Sequence, residues 1–140
     1  MSANTFTGNQ TGGDNQLIQW NTRDIGSVFV DKGTVASGTS TLDYTGGHVQ
    51  RIQVGGAMTV AFSNWPPSGN QGTVMLELVN GGSAVVTWPT INWVLKNGTF
   101  TTTLSTYLSD FGRSALQTSG TDFFVFWTRD AGTTIYGKLL

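Results

Sequence analysis

The sequence predicts an all-β protein, an antiparallel β-sandwich of jelly-roll type with about nine short strands. Segments rich in Thr, Val, Phe, Trp and Tyr recur along the chain, and these side chains favour strands. Gly- and Asn-containing turns separate the segments, as at 45–47, 80–82 and 97–98. The turns recur about every 8–12 residues, a spacing typical of sandwiches and barrels.

Alternation of side chains supports the strand assignment in the middle of the chain. Met58, Val60 and Phe62 fall on one face of a strand, with polar or small residues between them. The predicted strands are Ile25–Asp31, Thr34–Tyr44, His48–Val54, Ala57–Asn64, Gly72–Asn80, Ala84–Trp88, Thr99–Leu104, Thr121–Arg129 and Thr133–Leu139. No sequence repeat or heptad accompanies them.

Two segments depart from simple alternation. The FFVFW run at 123–127 is apolar at every position, which indicates a strand covered on both faces. We expect a second sheet on one side and a loop or neighbouring subunit on the other, with Phe124 and Phe126 contributing to a partner contact. In the segment 104–120, apolar residues at i, i+3, i+4 and i+7 predict a short helical turn: Leu104, Tyr107, Leu108 and Phe111.

Residues 1–24 differ in composition from the predicted sandwich domain, 25–140. They are mostly Asn, Thr, Gly and Gln, and such a segment buries too little apolar surface to offset the entropy of ordering by itself. We therefore predict an N-terminal arm whose few apolar residues contact a partner: Phe6, Leu17, Ile18 and Trp20. Trp20 is the best candidate for an aromatic anchor in a partner's pocket.

The charge content excludes some classes of partner. Only 11% of residues are charged, less than half of the typical share of about 25%. Because interface cores are depleted of charge, a surface of Thr, Ser, Asn, Gln and Gly suits lasting protein contacts. The net charge of −1 offers no basic footprint for nucleic acid. No apolar run is long enough to span a membrane, and no secretory signal is recognisable, so we expect assembly in the cytoplasm.

Catalytic and metal-binding patterns are weak. Cysteine is absent, which removes disulfides and thiolate sites, and the only histidine, His48, has no nucleophile motif near it. The eight carboxylates are scattered, mostly at predicted turns, where Asp accepts local backbone hydrogen bonds. We predict a protein that is not an enzyme and that has no cofactor or metal.

The tryptophans leave two interpretations open. Exposed indole rings can stack on sugars, so Trp65 is a candidate glycan or partner contact. However, Trp65 and Trp88 each precede a proline at a strand end, where an indole ring more often closes the end of a sandwich. The sequence favours the second interpretation for both residues.

Residues 41–93 resemble a recurring domain of tailed-bacteriophage structural proteins. The shared features are the strand opening with TLD (41–43), the segment AMTVAFSNWP (57–66), a G-x-x-G turn before TVMLELVN (73–80), and VVTWP (85–89) followed by Trp93. The closing FFVFWTRDAGTTIYGKLL (123–140) resembles the C-terminal hairpin of that family. The segment 104–120 and the arm depart from the pattern.

The resemblance implies a compact β-sandwich, commonly trimeric, that is located at fibre ends or on the surface of virions and has no catalytic role. Because only a short arm precedes the domain, we expect a capsid decoration, or cement, protein that binds the major capsid protein. The alternative is a tail-fibre or spike tip that binds a host receptor or glycan.

Overall fold

A computed structural model describes residues 27–140 and confirms the all-β class. Within this range there are ten strands and one short helix, and the strands form a seven-stranded and a three-stranded sheet. The strands are β1 (Phe29–Val35), β2 (Thr39–Asp43), β3 (Val49–Val54), β4 (Met58–Ser63), β5 (Gly72–Val79), β6 (Val86–Thr87), β7 (Asn92–Val94), β8 (Phe100–Thr101), β9 (Thr121–Thr128) and β10 (Tyr136–Leu139); the helix is α1 (Leu104–Asp110).

The first six strands form a parallel coil. Odd-numbered strands enter the large sheet and even-numbered strands enter the small one, so each strand crosses from one sheet to the other. In the first turn of the coil, the paired residues Phe29 and Val49 of the large sheet are 20 positions apart in the sequence, and so are Thr39 and Thr59 of the small sheet. The second turn is longer because the segment 64–71 is inserted between β4 and β5.

The last strands complete the large sheet, whose order is β1-β3-β5-β9-β10-β7-β8. Strand β9 pairs antiparallel with β5 along eight residues and antiparallel with β10 on its other side. Strand β7 runs parallel to β10 and pairs antiparallel with β8. Thus β9 joins the parallel coil to the C-terminal part of the chain.

The predicted antiparallel jelly-roll topology needs correction. Five of the eight strand pairings in the described residues are parallel. The strand pattern was consistent with either arrangement, because a strand that lies between a core and a half-covered face alternates in both. The connections distinguish the two topologies. Each turn that follows β1 to β5 carries the chain to the opposite sheet, whereas a tight hairpin would have kept the chain in the same sheet.

The core lies between the two sheets and is rich in aromatic rings. Phe124 and Phe126 of β9 are fully buried, and the ring of Phe126 lies 5.0 Å from that of Phe62 on the small sheet. Trp88, which follows β6, lies 5.3 Å from Phe124 and 5.7 Å from Trp93. These contacts hold the small sheet against the large one. Aromatic pairs at such separations contribute about 0.5–1.5 kcal/mol each beyond their area burial.

The predicted helical turn is present as α1. Its residues Tyr107 and Leu108 are buried, and the ring of Tyr107 stacks on Trp93 at 5.3 Å. The Tyr107 hydroxyl oxygen accepts a hydrogen bond from the backbone N–H of Leu139 at 2.6 Å, and burial raises the pKa of this phenol. The helix therefore covers the end of the core beside β7 and β10.

The turns of the coil stack so closely that Gly56 should not tolerate a larger side chain, and a substitution tests this expectation. A Cβ atom at Gly56 would collide with the backbone carbonyl oxygen of Ala36 in the preceding turn. We expect Gly56→Ala to lower the free energy of unfolding by about 1–3 kcal/mol, the usual cost of overpacking. Denaturant unfolding measures this.

Gly46→Ala is the matched control. The closest heavy atom to a Cβ there is the Asp43 carbonyl oxygen at 3.5 Å, an ordinary contact. We expect this variant to be as stable as the parent chain. Equal stability of the Gly56 and Gly46 variants would contradict the stacked-turn arrangement.

Candidate functional site

The outer face of the large sheet, which points away from the small sheet, carries an apolar row. Four side chains on adjacent strands lie in direct register here: Phe29, Val49, Met75 and Val125. The row ends at Lys138 on β10, the register partner of Val125. Phe29 is 51% exposed, and the other three are half-buried. The row therefore continues across half the width of the sheet.

Phe123 extends the apolar row along β9. It lies two residues from Val125 on the same face and is 43% exposed. Its backbone carbonyl oxygen accepts a hydrogen bond from the N–H of Leu140, another exposed apolar residue. A large exposed aromatic ring beside a continuous apolar row is typical of a protein contact surface.

Charged groups surround the row. Arg51 lies beside Val49 on β3 and donates a hydrogen bond to Asp31 Oδ2 at 2.8 Å. Glu77, the register partner of Arg51, and Lys138 make no ion pair within the part of the chain that the structure describes. One acidic and one basic group thus stand free at separate positions on the same face.

The outer face of the small sheet is different. Thr39, Thr59 and Thr87 lie in register across its three strands, and the exposed Val85, which precedes β6, lies beside them. A hydroxyl-lined face of this kind meets water without cost. The outer face of the small sheet is therefore mostly lined by hydroxyl groups, whereas that of the large sheet carries a continuous apolar row.

The structure corrects the prediction for Phe124 and Phe126. Both are fully buried inside the single chain, so no partner can contact them. The pleat of β9 turns Phe124 and Phe126 toward the small sheet and Phe123, Val125 and Trp127 outward. The small sheet thus covers the inner face of β9, and the outer face, with Phe123, Val125 and Trp127, is only partly buried among residues 27–140.

Trp65 lies at one end of the core. It is half-buried, its ring stacks on Phe62 at 5.5 Å, and a Cβ atom at Gly132 would collide with its pyrrole edge. The indole also lines a pocket of about 390 Å³ at this end. Its Nε1 is buried, and no group among residues 27–140 accepts a hydrogen bond from it. This position fits the end-closing role that the sequence favoured.

The remaining predicted contact residues, Phe6, Leu17, Ile18 and Trp20, lie outside the described residues. Sequence inspection missed Phe29, Met75 and Phe123, because an exposed position on a strand has no signature until the register is known. The sequence did offer one signal for Phe123. Adjacent residues of a strand face opposite sides of the sheet, so assignment of Phe124 to the core would have placed Phe123 on the outer face.

Two aspartates of the described region, Asp43 and Asp130, serve local structure. Asp43 accepts hydrogen bonds from the backbone and hydroxyl of Thr45 and from Asn64 Nδ2, and these bonds hold its pKa below the ordinary value. Asp130 accepts from the Thr134 N–H and the Thr128 hydroxyl, which lower its pKa likewise. Such carboxylates stay charged as turn acceptors and are poor proton donors near neutral pH.

His48 lies next to another aromatic ring. The ring of His48 lies 4.8 Å from that of Tyr44 at the start of β3. Among the described residues, no three His, Asp or Glu side chains come together as a metal site. None of the helices in that region is long and apolar enough to cross a membrane.

Comparison with known proteins found no match among protein-family models, curated proteins or solved structures.

The Asp130 turn generates a pH prediction. Because its folded pKa lies below the ordinary 3.8, the carboxylate stabilises the fold above about pH 4, and this contribution is lost as pH falls through the folded pKa. We expect Tm to decrease in this acid range and Asp130→Ala to show a smaller decrease. Thermal unfolding monitored between pH 2 and pH 7 tests this, and an unchanged acid profile in the variant would contradict the assignment.

Proposed function

We propose that this chain is a structural protein of a tailed-bacteriophage virion, a homotrimeric decoration protein that binds the outer surface of the head and stabilises it. The observation that carries the proposal is the apolar row on the outer face of the large sheet. The row supports a protein-binding role, and the resemblance of residues 41–93 and 123–140 to virion proteins supports the location.

The chemistry of the row favours contact with another copy of the chain. Val49, Met75 and Val125 supply apolar area, and burial of such area contributes about 25 cal/mol per Å². Glu77 and Lys138 stand at different points of the same face, so the acidic position on one copy complements the basic position on the next. This complementarity supports contact between copies of the chain.

The low charge content of the chain also supports a protein-binding role. Lys and Glu are costly to desolvate, and this chain carries few of them, whereas Thr and Ser lie in register on the opposite face. In the proposed assembly one face holds the trimer together, while the arm and the polar surfaces contact the capsid lattice.

The proposed mechanism is thermodynamic. A protein that binds only the mature shell stabilises that state by mass action. Many weak contacts repeated over a lattice add up, because each trimer engages several sites at once. No acid, base or nucleophile of this chain takes part, and the proposal includes no catalytic step.

The oligomeric state tests the role of the row. We expect the full chain to form a trimer in light-scattering measurements and Phe123→Asp to shift it to monomer, because a carboxylate there must be desolvated in the contact. Val85→Asp is the matched control, since Val85 is 69% exposed and precedes β6 of the small sheet. A monomeric parent chain at high protein concentration would reject the proposal.

The arm generates a second prediction. We expect removal of residues 1–24 to abolish binding to capsids and to leave the trimer intact, because the arm and the apolar row contact different partners. Co-sedimentation with capsids and light scattering measure the two properties. Retained capsid binding by the truncated chain would reject the arm's role, and imaging of C-terminally labelled virions would separate head from tail-fibre placement.

A further inference from the structure

A second feature of the large sheet lies beyond the apolar row, on the strands at the opposite edge. The rings of Phe100, Trp127 and Tyr136 surround a pocket of about 340 Å³, together with Val94, Gly98, Arg129 and Asp130. We call this pocket the aromatic groove. The proposed virion function does not use it, and none of its aromatic residues belongs to the row.

Register brings the three rings together. Trp127 on β9 and Tyr136 on β10 are direct antiparallel partners, and their rings stack at 5.6 Å with an interplanar angle of 18°. Phe100 on β8 lies 5.2 Å from Tyr136. Phe100 is 53% exposed, although an aromatic ring of this size usually finds cover in the core. The sequence places three rings side by side without burying them.

Two charged groups complete the wall of the aromatic groove. The exposed Arg129 makes no ion pair within residues 27–140, and its Nε donates only a long hydrogen bond of 3.3 Å to Gln71 Oε1. Asp130 is fixed by Thr128 and Thr134, so its carboxylate is held in place at the groove. The Asp130 carboxylate, an acceptor held in place, and the Arg129 guanidinium, a donor without an ion pair among residues 27–140, therefore line the same pocket as the rings.

We propose that the aromatic groove binds a pyranose sugar unit of a glycan. A pyranose ring has an apolar C–H face that packs on aromatic rings and a rim of hydroxyl groups that bind carboxylate and guanidinium groups. The groove offers both kinds of surface within one sugar-sized volume. An apolar protein side chain would use the rings but would leave the Arg129 guanidinium without a charged partner among residues 27–140.

Binding at the groove does not depend on the head or tail location of the protein. The groove lies on β7 to β10, whereas three of the four residues of the row lie on β1, β3 and β5. Both regions meet at β9, where Val125 and Trp127 are two residues apart. A sugar can therefore occupy the rim of the assembled face.

Titration of the full chain with simple sugars tests the proposal. The probes are methyl β-glucoside and methyl β-N-acetylglucosaminide as neutral pyranosides, glucuronic acid as an acidic pyranose, and sorbitol as an acyclic polyol. Nitrogen–proton correlation NMR follows the indole N–H signals, and Trp127→Phe assigns the relevant one. We expect the Trp127 signal to shift with at least one pyranose and not with sorbitol, and the neutral and acidic sugars separate the two sugar classes.

Two variants distinguish the groove from the row. We expect Phe100→Ala to weaken sugar binding about tenfold and to leave the oligomeric state unchanged, because this ring contacts only the groove wall. Phe123→Ala should leave sugar binding unchanged and weaken assembly. Absence of a shift with every pyranose, an equal shift with sorbitol, or unchanged binding by the Phe100 variant would each overturn the proposal without bearing on assembly.

Discussion

The packing of Phe124 and Phe126 between the two sheets is the interaction on which the rest of the structure depends. These rings occupy the centre of the large sheet and contact Phe62 and Trp88 from the small sheet. Because β9 pairs with β5 of the coil and with β10 of the C-terminal part, the same two residues fix the relative position of both halves. The pleat of the strand then determines which side chains face outward, so the composition of the outer face follows from the packing of the core.

The sequence allowed the fold class and most strand positions to be predicted, and it did not allow the topology to be predicted. Strands near 49–54, 58–63, 72–79 and 121–128 were evident, because Gly and Asn turns separate them and β-branched or aromatic residues fill them. Strand β7 was missed because its three residues, Asn92–Val94, are too few to show alternation. The 20-residue period of the coil leaves no trace in the sequence, since the stacked turns share backbone geometry without sharing side chains.

The contact residues illustrate the same limit. Apolar character at five consecutive positions of β9 predicted cover on both faces, but it could not say which residues face the core. Burial of Phe124 and exposure of Phe123 depend on the register with β5, a contact between segments more than 40 residues apart. Phe100 was equally inaccessible to inspection, because its neighbour Tyr136 comes from the far end of the chain. The local sequence determines that side chains alternate between the two faces of a strand, and long-range pairing determines which face points toward the core.

An apolar face on a chain of such low charge carries a risk that the structure limits. Exposed rings and few charges favour aggregation, and β1 lies at one edge of the large sheet formed by residues 27–140, where an edge strand can pair with other strands. The register shift between Asp31 and Thr34 disturbs this edge, and the Asp31 to Arg51 ion pair places charge beside it. Strand β8 at the other edge has only two residues. These features disfavour open-ended strand addition at the edges that residues 27–140 present, and they are compatible with the proposed contact through the face of the sheet.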